Sequence, residues 1–273
     1  MAWPKVISGE QAGPGTHQWA QRLFPLALFL LALAPRLVAL NRYITPDELL
    51  WVYRSVLLRE AVADGRWADT LVAGHPGVTT TWLGAAGISA QLITNPSLQT
   101  DYDWLTKMAN LLPDNATAFT KLGGFLSSGR SAVAIVNSLA VLLIFLLVKR
   151  LWGFGVAALA GILLALDPFA AGLSGLLHVD ALSASFATLA LLTMGVAAVA
   201  WGEDDHPWYF AGWLALSGLA TGLAIMTKTP TLVLGIVAAL VFVIWYLSLR
   251  GPLFSPDRRR LLISFTFGVS SLL

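Results

Sequence analysis

The sequence has no cysteine and few charged residues. The absence of cysteine among its 273 residues excludes disulfide bonds and thiolate chemistry. Only 12% of the residues are charged, whereas soluble domains have about 25%. Because 57% are hydrophobic, with 11 Trp and 24 Gly, the composition predicts an all-α polytopic membrane protein. The basic residues sit beside hydrophobic segments and the net charge is only +2, so nucleic-acid binding is not predicted.

Several short motifs are also missing. The chain has no glycine-rich phosphate loop, no nucleophile elbow and no zinc-protease helix, which argues against nucleotide binding. The start is long and polar, and no small-residue cleavage site follows the first apolar run, so a secretory signal peptide is not predicted. We expect residues 1–22 to form a disordered cytoplasmic tail and 23–273 to form one transmembrane domain.

Apolar segments of spanning length are frequent. The last one provides 13 residues from Leu261 to Leu273, where about 20 are needed, so we expect the chain to be the N-terminal part of a larger protein. The predicted spans are Leu23–Leu40, 131–148, 153–170, 178–200, 208–226, 230–249 and one that begins near Leu261.

A polar region, residues 41–130, follows the first span. Thr45 suits a helix N-cap, Pro46 the first helical position, and Glu48 the far end of a capping box. We therefore predict a helix from Pro46 to about Asp64, ended by Gly65. We expect its apolar stripe to lie on the membrane surface. The stripe comprises Leu49, Leu50, Tyr53, Val56, Leu57 and Ala61.

The predicted orientation of the chain in the membrane depends on basic residues and on whether residues 78–94 cross the membrane. Residues 78–94 have a helical pattern but are short for a span, and we interpret 95–127 as a loop. Basic residues mark cytoplasmic ends of spans, here Lys149-Arg150 and Arg258-Arg259-Arg260. With both groups and the N-terminus inside, 41–130 becomes the first extracytoplasmic loop, provided that 78–94 is a second surface helix.

One carboxylate pair in this loop, Asp47-Glu48, is a candidate for catalysis. Acidic residues in a first helical turn favour the helix dipole, and this local role explains Glu48. It explains Asp47 less well, because one carboxylate already completes the box.

Three cations lie at predicted outer ends of spans, where positive charge is not favoured. Arg36, Arg130 and Lys228 could together hold the phosphate of a lipid-linked substrate. The alternative for any one of them is snorkelling to lipid headgroups.

Two further polar motifs fall at outer ends of spans. They are Asp167-Pro168 and His178-Val179-Asp180, and a helix stop or start explains each locally. A metal site built from His75, His178, Asp47 and Asp180 has no ligand spacing to support it. No metal ligand is therefore predicted, and a divalent metal is left open.

Taken together, the motifs resemble the N-terminal half of a GT-C glycosyltransferase. The group is that of the dolichyl-phosphate-mannose protein mannosyltransferases, which includes the bacterial aminoarabinose lipid A transferases. The resemblance covers roughly residues 20–250. The motifs are, in order, Pro46-Asp47-Glu48, His75-Pro76-Gly77, Trp82, Arg130, Lys149-Arg150-Leu151-Trp152-Gly153, Asp167-Pro168, His178-Val179-Asp180, and Gly218 to Leu223 followed by Lys228.

This resemblance implies a site and a reaction. Asp47, with Glu48 beside it, would be the catalytic base for attack of an acceptor hydroxyl on the anomeric carbon, with inversion. Arg130 and Lys228 match family cations and would hold the leaving polyprenyl phosphate. His75 matches the first residue of a family His-Pro-Pro motif, but Gly77 replaces its last proline. His75, His178 and Asp180 would line the substrate pocket. The implied partners are a polyprenyl-phosphate-linked sugar, membrane lipid, and a protein, lipid or glycan acceptor.

Two other hypotheses remain open from the sequence. A transporter or channel would place ionisable residues mid-span, whereas here they lie at outer ends, and no inverted repeat is evident. The second hypothesis is a truncated chain that folds but does not catalyse sugar transfer, so activity of the chain by itself is left open. The sequence does not name the sugar, the acceptor or the oligomeric state.

Overall fold

The computed structural model describes residues 16–250, except 39, 42, 74–75 and 204–206. Ten α-helices and no β-strand occur in this part of the chain, which confirms the predicted all-α class. Four of the helices, α1, α5, α8 and α9, are long and apolar enough to cross a membrane. The helices are α1 Thr16–Val38, α2 Glu48–Ala63, α3 Val78–Thr94, α4 Gln99–Thr106, α5 Ala116–Trp152, α6 Phe154–Leu166, α7 Pro168–Leu173, α8 Val179–Glu203, α9 Pro207–Thr227 and α10 Val233–Arg250.

Several predicted elements agree closely with these helices. α3 has the predicted bounds, and α8 and α9 match their predicted spans to within three residues. α2 is followed by Gly65 at φ +68°, the left-handed conformation that favours glycine after a helix. α1 begins at Thr16, so the predicted tail is already helical over its last residues. The span predicted near Leu261 lies outside the described residues.

The predicted loop 95–127 is wrong. It contains α4 and the first turns of α5, which starts well before the predicted 131. The Asn115 side chain accepts a hydrogen bond from the Ala118 N–H at 3.0 Å and caps α5. Leu122 and Phe125 are then buried at helical spacing, so packing extends the helix through a stretch whose polar residues had suggested a loop.

The predicted span 153–170 is also divided. α6 ends at Leu166, and Asp167 accepts a hydrogen bond from the Ala170 N–H at 2.6 Å to cap α7, which starts at Pro168. The 13 residues of α6 fall short of the ~20 that a perpendicular span needs. Similarly, the predicted span 230–249 begins as a 3₁₀ turn, Thr229–Leu232, before α10.

Contacts between α1 and α5 show that the two helices are antiparallel. Near the start of α1, the Phe24 ring lies 5.1 Å from the ring of Phe145, late in α5. Just past the end of α1, the Leu40 carbonyl accepts a hydrogen bond from Arg130, early in α5. The Asp47-Glu48 segment therefore lies at the end of the bundle opposite to Lys149 and Arg150, the last basic residues of α5.

Side-chain contacts also show in which direction α8 and α9 run relative to α5. Leu177 lies beside Gly129, Ser185 donates to Asn137 at 2.7 Å, and Gly195 lies near Leu151, so α8 runs parallel to α5. Ser217 donates to the Ala190 carbonyl at 2.8 Å, within the antiparallel α8–α9 pair. As a result, the start of α8 and the end of α9 meet the α1–α2 connection at one end of the bundle.

α2 packs against protein, including part of the stripe that we had expected to lie on the membrane surface. Tyr53, Val56 and Ala61 of that stripe are buried, and the helix contacts α3, α4 and α5. A Cβ on Gly84 would overlap Ser55, so glycine allows the close approach of α3 to α2. Leu50 of the predicted stripe is exposed, whereas its neighbours Trp51 and Val52, which lay outside the stripe, are buried. The buried face of α2 therefore coincides only in part with the predicted stripe.

Candidate active site at one end of the bundle

A cavity of about 380 Å³ opens where the α1–α2 connection, the start of α8 and the end of α9 meet. Its lining is mixed, with charged, aromatic and aliphatic side chains. The lining residues are Asp47, Leu50, Trp51, Arg54, Pro76, His178, Val179, Thr227, Lys228, Thr229 and Pro230. The structure therefore brings together Asp47, His178 and Lys228, three of the residues singled out from the sequence.

α2 positions one face of the cavity. Asp47 directly precedes the helix, and its side chain makes no capping hydrogen bond to it. Asp47, Trp51 and Arg54 are spaced i, i+4 and i+7, so they share one face. The Arg54 guanidinium lies 4.5 Å above the Trp51 ring, a cation–π arrangement.

Arg54 was not among the predicted site residues. Burial lowers the pKa of its guanidinium, and the nearby Asp47 carboxylate opposes that change. The helical spacing from Asp47 was the signal that could have identified it. An isolated arginine off an apolar stripe is, however, ordinary for a surface helix.

A row of ionisable side chains connects Asp47, before α2, with Lys228, after α9. The His178 Nε2 atom lies 3.8 Å from Asp47 Oδ2, and its Nδ1 atom lies 3.4 Å from Asp180 Oδ2. The other oxygen of Asp180 accepts a hydrogen bond from Lys228 Nζ. Asp180 is thus the partner of two cavity residues rather than a lining residue itself.

One side-chain and one backbone hydrogen bond hold the end of α9 against the start of α3. The Thr79 and Thr227 hydroxyls are hydrogen-bonded at 2.6 Å, and the Gly77 N–H donates to the Met226 carbonyl at 3.0 Å. Gly77 has φ +128°, and a Cβ there would overlap the Trp51 ring. Proline, whose φ is fixed near −65°, does not fit the backbone that this chain adopts at Gly77.

Glu48 and Arg130 lie beneath the cavity instead of lining it. Their side chains are 0% and 1% exposed and form a two-point ion pair, with Arg130 Nε and Nη2 at 2.6 and 2.5 Å from the Glu48 oxygens. Arg130 also donates to the carbonyls of Leu40 and Tyr43, and Glu48 accepts from the Leu177 N–H at 3.0 Å. The pair therefore ties together α1, α2, α5 and the segment before α8.

The predicted capping box is only half formed. The Thr45 N–H donates to Glu48 Oε2 at 2.9 Å, as predicted, but the Thr45 hydroxyl donates to the same oxygen at 3.0 Å instead of capping the helix. The helix starts at Glu48 rather than Pro46. Burial alone would raise the pKa of Glu48, but hydrogen bonds from Arg130, Thr45 and Leu177 outweigh it and the pKa is lowered.

The structure places Arg36 away from the cavity too. Its side chain is 2% exposed. It donates to the Ser174 hydroxyl at 2.6 Å and to the Ala32 carbonyl at 2.5 Å, and so joins the end of α1 to the segment after α7. His75 lies outside the described residues. Within the part of the chain that the structure describes, no three His, Asp or Glu side chains form a group suited to a metal ion.

Helices of spanning length with a charged cavity at one end of the bundle define a polytopic membrane protein with a polar site. The family model for dolichyl-phosphate-mannose-protein mannosyltransferases matches residues 115–256, just over half of the chain. The chain belongs to this family and is a membrane glycosyltransferase of the mannosyltransferase type. No curated protein and no solved structure matches it. The matched region includes Arg130, His178, Asp180 and Lys228, whereas Asp47 precedes it.

Proposed function

We propose that this glycosyltransferase moves a sugar from a polyprenyl phosphate to an acceptor hydroxyl, with Asp47 as the general base. The observation that carries the proposal is one carboxylate and two cations lining a single cavity: Asp47 and Arg54 from one face of the α2 region, and Lys228 from just after α9. The Asp47 side chain is 71% exposed, so an acceptor hydroxyl has access to it. Membership of the family supports a polyprenyl-phosphate-linked donor.

The proposed reaction is a single displacement. Asp47 takes the proton of the acceptor hydroxyl as that oxygen forms its bond to the anomeric carbon. The bond from the anomeric carbon to the phosphate oxygen breaks, and its electron pair leaves with the polyprenyl phosphate. Attack and departure take place on opposite faces, so the anomeric configuration inverts.

The cations stabilise the negative charge that develops on the leaving phosphate. Lys228 and Arg54 line the cavity and are the residues we assign to this role. Lys228 would share its ammonium group between the phosphate and Asp180. Arg130 and Arg36 are buried and engaged elsewhere, so we assign them positioning roles: Arg130 fixes Glu48, next to the base.

The experiment that tests this function follows tritium-labelled dolichyl-phosphate mannose, as the β anomer, in vesicles that contain the full chain. We expect labelled mannose to appear in an α-linked product, identified with mannosidases specific for α and β linkages. Vesicles without the chain are the control. Retention of the β configuration, or transfer no faster than in the control, would contradict the proposal.

We further propose that the cavity faces outward and the N-terminal tail and the Lys149-Arg150 end face the cytoplasm, in line with the positive-inside rule. The chain has no cysteine, so Asp103→Cys and Lys149→Cys each give a single reporter on an exposed position. In intact cells a membrane-impermeant maleimide is expected to label the first variant, and the second only after permeabilisation. The reverse pattern would overturn the orientation.

A further inference from the structure

The His178 imidazole lies between two carboxylates, one at each ring nitrogen. Nε2 faces Asp47 at 3.8 Å and Nδ1 faces Asp180 at 3.4 Å. Lys228 holds the opposite oxygen of Asp180. The four side chains come from the α1–α2 connection, the start of α8 and the end of α9, so the fold builds this arrangement from distant parts of the sequence.

The contacts of Asp180 favour one tautomer of the ring. Asp180 accepts a hydrogen bond from the Lys228 ammonium and faces Nδ1 at 3.4 Å, so a proton on Nδ1 points to a carboxylate oxygen that can accept it. With the proton on Nδ1, the lone pair of Nε2 is directed at Asp47. The same order of groups, a carboxylate that orients an imidazole whose other nitrogen acts on a reacting group, is a general way to set a histidine for proton transfer.

We propose that His178 accepts the proton that Asp47 has taken from the acceptor hydroxyl. This inference rests on the proposed function and adds a second step to it. In that step the O–H bond on Asp47 breaks, an N–H bond forms at Nε2, and the imidazolium is stabilised by Asp180. The proton passes to water when the products leave, and Asp47 is again a carboxylate for the next turnover.

Charge and access around His178 favour this direction of transfer. An acceptor would approach Asp47 from its exposed side, since the Asp47 side chain is 71% exposed, whereas His178 is only 24% exposed. The anions that face the ring are Asp47 and Asp180, and Lys228 and Arg54 are the cations of the same cavity. Beneath it, Glu48 binds the Leu177 N–H and is neutralised by Arg130. His178 acts through Asp47 and is therefore a positioning residue.

Two conservative variants separate this role from a purely structural one. In His178→Asn the amide takes the position of Nδ1, which faces Asp180, and in His178→Gln it takes the position of Nε2, which faces Asp47. A relay needs both ends at once, so we expect each variant to lower kcat about tenfold or more, with the KM for dolichyl-phosphate mannose nearly unchanged. The loss is smaller than the 10²–10⁴-fold expected for the group that takes the substrate proton itself.

Chemical rescue provides the decisive readout. Added imidazole is expected to restore transfer in His178→Ala, but not in Asp47→Asn. Full activity in the Asn or Gln variant, or no response of His178→Ala to imidazole, would overturn the relay. These results leave the proposed function standing as long as Asp47→Asn is inactive. An active Asp47→Asn variant would instead contradict the proposed function itself.

Discussion

Asp47→Asn is expected to lower the rate of sugar transfer by about 10²–10⁴-fold, the usual contribution of a general base. Asparagine keeps the size of the side chain but cannot take up a proton at this position. The Asp47 side chain is largely exposed and makes no capping hydrogen bond to α2, so its replacement removes no local support for the fold. The initial rate of transfer from dolichyl-phosphate mannose measures the effect.

A second exposed aspartate in the same polar region serves as the matched control. Asp69 lies in the 3₁₀ turn Trp67–Thr70, away from the cavity, and pairs with Arg66 at 2.6 Å. Asp69→Asn makes the same chemical change, and because exposed ion pairs contribute little, its transfer rate should stay near that of the wild type. Equal losses in both variants would mean that the effect of Asp47→Asn is not specific to the cavity.

The largest effect on stability is expected at the Glu48–Arg130 pair. Removing one partner, as in Arg130→Met or Glu48→Gln, leaves the other charge buried without compensation, which typically costs about 3–5 kcal/mol. Both groups are almost fully buried and connect four segments of the chain. The change in the free energy of unfolding in detergent solution measures this cost.

The double variant Glu48→Gln with Arg130→Met tests the origin of the effect. It should be more stable than the sum of the single losses predicts, because neither buried charge then remains unpaired. The lowered pKa of Glu48 also sets a pH dependence: its contribution is present above the unfolded value of about 4.3 and is lost as the pH falls through the folded value. Additive losses, or stability in that range unaffected by Glu48→Gln, would contradict the account.

Local patterns in the sequence identified many of the elements correctly. The small polar and apolar residues of 78–94 gave a helix with the observed bounds, and the two long apolar runs gave α8 and α9. The sequence was less informative between α3 and α5. The polar residues of α4 and early α5 suggested a loop, because the buried faces of these helices depend on contacts with α2. Such contacts join distant residues and leave no local periodicity strong enough to identify.

The candidate site, too, could be predicted from the sequence only in part. Asp47, His178 and Lys228 were each recognisable as polar residues at the ends of spans, and the structure places them around one cavity. Local reasoning gave Glu48 a role in capping, whereas its main partner, Arg130, is 82 residues away. From the sequence, Arg130 was expected to face the donor phosphate. Its buried ion pair with the Glu48 carboxylate is visible only in the fold.

The proposed mechanism requires Asp47 in the chemical step at this cavity. A single-turnover measurement with saturating dolichyl-phosphate mannose separates that step from donor binding and product release. Asp47→Asn is expected to bind the donor with unchanged affinity but to transfer the sugar about 10²–10⁴-fold more slowly than the wild type. A single-turnover rate equal to that of the wild type would contradict it.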